Sequence, residues 1–299
     1  LTRPPLPRVT GPRKTVSNPG NRGGGKRMNM ENVAQSGLVL LGCGKMGSAM
    51  LKGWLDGGLP PASVWVIDPN PSDWLRGTGV TINGDLPGAP AIVLVAVKPQ
   101  MMGAALPAIA AMGGGGTLFV SIAAGTPISA FEAALGADSP IVRAMPNTPA
   151  AVGRGITAII GNARATADHL ALADTLLAAV GQVVRLDSED QMDAVTGVSG
   201  SGPAYVFHMI ECLAAAGAAQ GLTPELAMQL AQATVAGAGA LAEGSNDSPD
   251  QLRINVTSPN GTTQAGLEVL MDPETGLPPL IAATVAAATD RSKALRDGG

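Results

Sequence analysis

The chain has 299 residues, 45% hydrophobic and only 14% charged, with 2% aromatic residues, 40 glycines and a formal net charge of −4. That much apolar sequence supports one large or two ordinary domains, and cores this poor in aromatics suit α/β or all-α packing rather than a β-sandwich. Two cysteines, Cys43 and Cys212, exclude a disulfide framework or a cysteine metal cluster, so no metal is expected and a reducing, cytoplasmic setting is the default.

Residues 1–36 hold seven Lys/Arg against the single acid Glu31, which leaves 12 basic and 22 acidic residues, about −10, for the body. An acidic body argues against nucleic acid as a partner. The segment is rich in Pro, Arg and Gly and lacks an apolar h-region, so it reads as a disordered basic tail, with Met28 or Met30 as candidate first residues. No run of 18 apolar residues occurs, so no membrane span is expected.

The body opens with apolar runs expected as strands at 37–42, 63–67, 91–97, 117–122, 140–144 and 156–160, separated by helical or Gly/Pro segments. Alternation of this kind predicts a doubly wound, mostly parallel sheet over residues 37–164. After about residue 165 the pattern turns helical, with segments at 165–180, 187–197, 202–220, 223–243, 261–271 and 278–296. Thr223-Pro224-Glu225 is a helix start, with Thr as the cap and Pro in the first turn. Residues 165–299 thus read as an Ala-rich helical domain whose apolar surface is expected to be buried against another subunit.

The first strand runs into Gly42-Cys43-Gly44-Lys45-Met46-Gly47 and then a helix. This is the context that a dinucleotide-binding turn requires: a tight turn, a close backbone approach to the pyrophosphate and close helix packing. Asp68 ends the second strand. A carboxylate there accepts from a ribose 2′-hydroxyl and favours NAD over NADP, and no Arg follows in Pro69–Ser72 to hold a 2′-phosphate. The alternative is a structural cap on the Asp68-Pro69-Asn70 turn. Asn83 is placed to reach the adenine side. Ala96-Val97-Lys98-Pro99 and Ala123-Ala124 end later strands, where a nicotinamide ribose would lie. Arg143 ends the fifth strand, as a site residue or as half of an ion pair. The Gly/Ser loop at 197–204 opens a long helix and is expected to face the cleft. His169 reads as a surface residue, and His208 as a core or interface residue.

The hydroxyl-rich segment VTSPNGTTQAGLEVL (256–270) places a Pro-Asn-Gly turn at a helix start, which suits a small carboxylate but offers no acid, base or nucleophile. Together with GCGKMG (42–47), AVKP (96–99), SIAAG (121–125), RAMPNTPA (143–150) and GVSGSGPAYVF (197–207), it makes the chain resemble the pyrroline-5-carboxylate reductase family over roughly residues 38–296. The resemblance implies reduction of the cyclic imine 1-pyrroline-5-carboxylate to L-proline by NADPH or NADH. It implies a cofactor site at Gly42–Gly47, Asn83, Ala96–Lys98 and Ala123-Ala124. It implies a substrate site at Val256, Thr257, Ser258 and Thr263, and homodimers, in some members rings of dimers. The chain departs from the family pattern at Asn260, where Gly is usual, and at Arg253-Ile254, where Lys-Asp is common.

Hydride transfer to an electrophilic iminium carbon needs geometry more than acid–base groups. The expectation is that backbone N–H groups between Ser258, Asn260 and Gly261 hold the substrate carboxylate. The Thr263 hydroxyl then bonds the ring nitrogen and is the catalytic side chain. A β-hydroxyacid dehydrogenase is the alternative enzyme. That family places a Lys four residues after a Gly-x-Gly and an Asn four further on, where this chain has Val206 and Ile210. A non-catalytic dinucleotide-binding protein is the alternative outside enzymes.

Overall fold

The computed structural model describes residues 30–296. Eight strands form one sheet: β1 Leu38–Leu41, β2 Val64–Ile67, β3 Thr81–Ile82, β4 Ile92–Val95, β5 Leu118–Ser121, β6 Ile141–Met145, β7 Gly155–Gly161 and β8 Gly181–Arg185. Their order is β3-β2-β1-β4-β5-β6-β7-β8. Every neighbouring pair is parallel except β6 and β7. The unbroken apolar runs LVLL, IVLV and LFVS become the buried strands β1, β4 and β5, as sequence covered on both faces must. The order reverses between β1 and β4, and the crevice beyond their carboxyl ends is where ligands sit in such sheets.

The helices are α1 Glu31–Ser36, α2 Lys45–Asp56, α3 Asp73–Arg76, α4 Met102–Ala105, α5 Ile128–Leu135, α6 Ala167–Leu177, α7 Gln191–Val195, α8 Gly202–Ala219, α9 Pro224–Gly244, α10 Pro249–Asn255, α11 Thr262–Leu270 and α12 Leu277–Arg296. Side-chain alternation along β1 divides the core. Leu38 and Leu40 join Met50, Leu51 and Trp54 of α2 and Leu176 and Leu177 of α6. Val39 and Leu41 join Met102 of α4 and Phe131 and Leu135 of α5 on the other face. Trp54 is fully buried, and its indole N–H donates to the Leu176 carbonyl at 2.8 Å, fastening α2 to α6.

Beyond the sheet, α8 and α9 form a hairpin around Ala214, Ala227 and Ala231. A Cβ at Gly217 would lie 3.3 Å from the Ala227 Cβ, so glycine there lets the two helices close. Thr223 caps α9 by accepting from the Leu226 N–H. The last helix folds back: buried Asp193 of α7 accepts from Ser292 Oγ at 2.7 Å and from Arg296 Nη1 at 2.5 Å, both on α12.

Four expectations change. The tail is helical over its last residues, where Met30 and Val33 are buried against the sheet core, and that packing stabilises a helix too short to stand alone. Residues 1–29, the rest of the expected disordered tail, lie outside the described residues. The sheet continues past residue 164: β8 is a half-exposed edge strand with no apolar run, so it left no strand pattern in the sequence. The two-residue β3 is too short to show periodicity. The helix expected at 187–197 is α7 followed by a π-helical turn at Thr196–Gly200, and α10 was not anticipated despite its Ser248-Pro249 start.

Candidate active site

The turn after β1 assigns each glycine a separate task. Gly42 has φ +90, and a Cβ there would lie 2.9 Å from Val97 Cγ1. At Gly47 a Cβ would lie 2.5 Å from the Gly42 carbonyl oxygen, so only glycine lets α2 approach the strand end. At Gly44 a Cβ would meet nothing within 4 Å. The ground above the turn is thus open, and a side chain would fill it. Gly44 also caps α2 with no side-chain hydrogen bond, leaving the positive end of that helix to an outside anion. A tight turn, an open approach and a packing glycine fit a dinucleotide pyrophosphate.

Asp68, directly after β2, holds the turn. Its Oδ2 accepts from the Cys43 N–H at 2.7 Å, and its Oδ1 accepts from the Asn70 N–H at 2.8 Å. The capping role is therefore present alongside any ribose role. Asn83, at φ +51, clamps the Asp68 main chain from both sides, accepting from its N–H at 2.9 Å and donating to its carbonyl at 2.8 Å. In this structure the Asn83 carboxamide is engaged in supporting Asp68. Nothing in the sequence spacing pointed to that pairing across 15 residues.

The strand ends after β4 and β5 meet α2. Met46, Ala96, Val97, Lys98, Pro99, Ala123 and Ala124, all named as candidate cofactor residues, line one cleft of about 220 Å3. Ile122, Met145 and Pro146 complete it, extending the motifs already singled out by one wall. The π-helical turn stands at its edge. A Cβ at Gly200 would lie 2.6 Å from Met145 Cε, and Asn147 Nδ2 donates to Ser199 Oγ at 3.4 Å. A larger surface hollow, about 400 Å3, lies between the ends of α2 and α3 and includes none of the predicted site residues.

The hydroxyl-rich segment is not part of this cleft within one chain. Val256 is 63% exposed, and Ser258, Asn260, Thr262 and Thr263 are exposed as well. Asn260 takes φ +57, a value Asn tolerates, so the turn keeps its shape without a second glycine. The expected carboxylate grip changes in detail. The Gly261 N–H donates to the Ser258 carbonyl at 3.0 Å, and the Asn260 N–H donates to Gln264 Oε1 at 2.8 Å. Thr257 donates its hydroxyl to the Arg253 carbonyl at 2.6 Å. The start of α11 is what remains: Gly261 is its cap, with no side-chain hydrogen bond, and Thr262 and Thr263 head the helix.

Comparison with known proteins decides the lineage. Residues 37–125 match the family described as NADP oxidoreductase, coenzyme F420-dependent, and residues 189–295 match the one described as pyrroline-5-carboxylate reductase dimerisation. Pyrroline-5-carboxylate reductase of Pseudomonas aeruginosa is 38% identical over 266 residues, covering 87% of this chain and 97% of that protein. This chain belongs to the pyrroline-5-carboxylate reductase family. The solved reductase of Coxiella burnetii superposes with a TM-score of 0.81 at 34% identity, covering 87% of this chain and 98% of that one. The pyrroline carboxylate reductase of Plasmodium falciparum, solved with NADP bound, gives 0.75 at 29% identity, covering 88% and 99%.

Family membership leaves the remaining reactive side chains with structural tasks. Burial pushes the Cys43 thiol above its usual range, the Asp68 charge adds to that, and the hydrogen bond with Ser48 opposes it. Cys43 is a packing residue inside the reductase turn rather than a nucleophile. Arg143 is the ion-pair half anticipated as one alternative: its Nη1 donates to Glu189 Oε1 at 2.6 Å, and that oxygen also accepts from the Ile128 N–H. His169 forms a capping box with Thr166 at the surface. His208 is exposed in the single chain and pairs with Glu211 at 3.0 Å. Among the described residues no cluster of His, Cys, Asp or Glu could hold a metal ion, and no helix is long and apolar enough to cross a membrane.

Proposed function

We propose that this chain reduces 1-pyrroline-5-carboxylate to L-proline with NAD(P)H. The observation that carries this is the junction of an open glycine turn with a small, mostly apolar cleft at the sheet's switch point, in a chain of this family. The reduced nicotinamide, when bound, supplies the hydride. The chain's own residues do the rest. Gly42, Gly44, Gly47 and the start of α2 would receive the pyrophosphate, and the cleft lined by Ala96–Pro99, Ala123 and Ala124 would take the nicotinamide end.

The substrate side is assigned to the segment from Val256 to Thr263. The first turn of α11 holds the carboxylate, and the Thr263 hydroxyl bonds the ring nitrogen, supporting it as it becomes an amine. These residues stand outside their own chain's cleft, so a second copy must deliver them. A homodimer through the helical half, residues 165–299, is supported by the exposed apolar side chains there, Phe207 and Leu226 among them. Rings of such dimers are the larger assembly to look for. Both cysteines are free thiols, which suits a cytoplasmic enzyme.

The deciding experiment follows absorbance at 340 nm as pyrroline carboxylate is added to the purified protein and NAD(P)H. Steady consumption with proline as the product is expected. Binding of the nucleotide with no consumption would leave only a dinucleotide-binding protein.

A further inference from the structure

We infer that Asp193 is a positioning residue for the reduction: by holding α12 in one register on α7, it sets two walls at the nicotinamide end of the cofactor cleft. The inference rests on the cofactor reading given above. Asp193 itself is not among the residues that line the cleft.

Asp193 is 2% exposed, in the middle of α7. A buried carboxylate is costly unless it is paired and hydrogen-bonded. Here Ser292 Oγ donates to Oδ1 at 2.7 Å and Arg296 Nη1 to Oδ2 at 2.5 Å, from partners 99 and 103 residues along the chain. An apolar contact would join two helices equally well. A buried charge with two matched donors accepts one register only, because a helix shifted by a turn leaves the carboxylate without them.

The register matters because α12 bears on the cleft at two places. Three residues after Asp193 the helix gives way to the π-helical turn Thr196–Gly200, a form frequent at functional sites. That turn lies flush on α12. A Cβ at Gly197 would fall 2.5 Å from Thr289 Oγ1 and 3.0 Å from the Val285 carbonyl oxygen. The other side of the turn supports the cleft wall, where Gly200 abuts Met145 and Ser199 accepts from Asn147. The last turn of α12 reaches a second wall. A Cβ at Gly125, which takes φ +71 directly after Ala123 and Ala124, would lie 3.3 Å from the Leu295 Cβ. The segment leading into α7 is tied to the same two parts of the sheet. Glu189 accepts from Arg143 of β6 and from the Ile128 N–H that opens α5. A shift of α12 is therefore carried to Met145 and to the Ala123-Ala124 bend together.

Titration calorimetry tests this. It reads the dissociation constant of NADH or NADPH, whichever the wild type holds more tightly, and of ADP-ribose or its 2′-phosphate to match. The fragment lacks the nicotinamide, so it reports only the half of the site that α12 does not support. Asp193→Asn keeps an acceptor for Ser292 and gives up the charge opposite Arg296, whereas Asp193→Ala gives up both. Dinucleotide affinity should fall about threefold in the first and about tenfold in the second, with fragment affinity unchanged. The kcat for pyrroline carboxylate should fall as well, since a displacement of about 1 Å far from the chemistry costs up to roughly 100-fold. Parallel loss of both ligands marks a role in folding alone and overturns the proposal, as do unchanged affinities for both. If Asp193→Ala does not fold, Ser292→Ala supplies the second variant, with the same selective loss expected. A wild type that binds neither ligand overturns this proposal and the cofactor reading together. Binding is read without substrate, so a failure to reduce pyrroline carboxylate counts against the proposed reaction and not against Asp193.

Discussion

The sheet region and the helical region are both rich in apolar residues and bury them to opposite degrees. In the sheet, Trp54, Phe119 and Phe131 are almost wholly inaccessible, and both faces carry continuous clusters. Between residues 202 and 270 the only buried residues are Ala214, Ala227 and Ala231, while Phe207 is 59% exposed and Val269 75%. Large apolar side chains left exposed in such number are a mark of a surface that meets a partner. One region therefore completes its core within the chain, and the other, which carries the match to the family's dimerisation model, leaves its apolar side chains exposed. The proposed reaction divides along the same line, because the cleft proposed for the cofactor belongs to the first region and the hydroxyl-rich segment to the second.

The sharpest way to break this contrast is to truncate one large side chain in each region. Trp54→Ala should cost ~3–5 kcal/mol of folding stability, through the cavity and the orphaned Leu176 carbonyl. Chemical denaturation of the purified protein reads it directly, and a loss below about 1 kcal/mol would show that α2 is not fastened through this residue.

Phe207→Asp should leave the sheet intact and weaken self-association instead, by about 30-fold or more in dissociation constant if Phe207 is an anchor of the interface. Sedimentation would show smaller species, and NAD(P)H binding would persist while turnover falls. Unchanged assembly would mean that this face of α8 is covered by something else.

Thr263→Ala tests the delivered segment. A drop in kcat/KM of roughly 5- to 150-fold is expected, with the nucleotide dissociation constant unchanged. Full activity would remove the hydroxyl from the reaction and leave only the α11 main chain as the substrate anchor.

The smallest effect separates the two cysteines. Because burial raises the Cys43 pKa, its thiolate becomes abundant only at a pH above the ordinary thiol range. Alkylation of Cys43 near neutral pH should be much slower in the native protein than in urea, and should accelerate as the pH is raised. Equal native and denatured rates would contradict its burial.

Most of the fold was legible in residue order. The runs at 37–42, 91–97 and 117–122 announced the central strands because sequence buried on both faces is uninterrupted, and GCGKMG lay between a strand and a helix. The edge strands β3 and β8 were not legible, since two residues hold no period and GQVVR is half solvated. Asp68, Ala96–Pro99, Ala123 and Ala124 could be named from strand-end position, whereas Met145 and Pro146 joined the cleft only in the folded chain. The Asn83 clamp could not be named either, because it depends on β3 docking beside β2 and bringing a residue back across 15 positions. The amide groups at Asn260 and Gly261 looked available from the sequence and proved to be engaged within their own turn.

The sequence by itself determined the elements, the glycine turn and the family, because these follow from local periodicity, from backbone freedom and from motifs in order. The tertiary structure alone decided that the hydroxyl-rich segment stays outside the cleft of its own chain. Which surfaces meet depends on how α8 to α12 pack, and short Ala-rich helices leave that to contacts made between elements rather than within them.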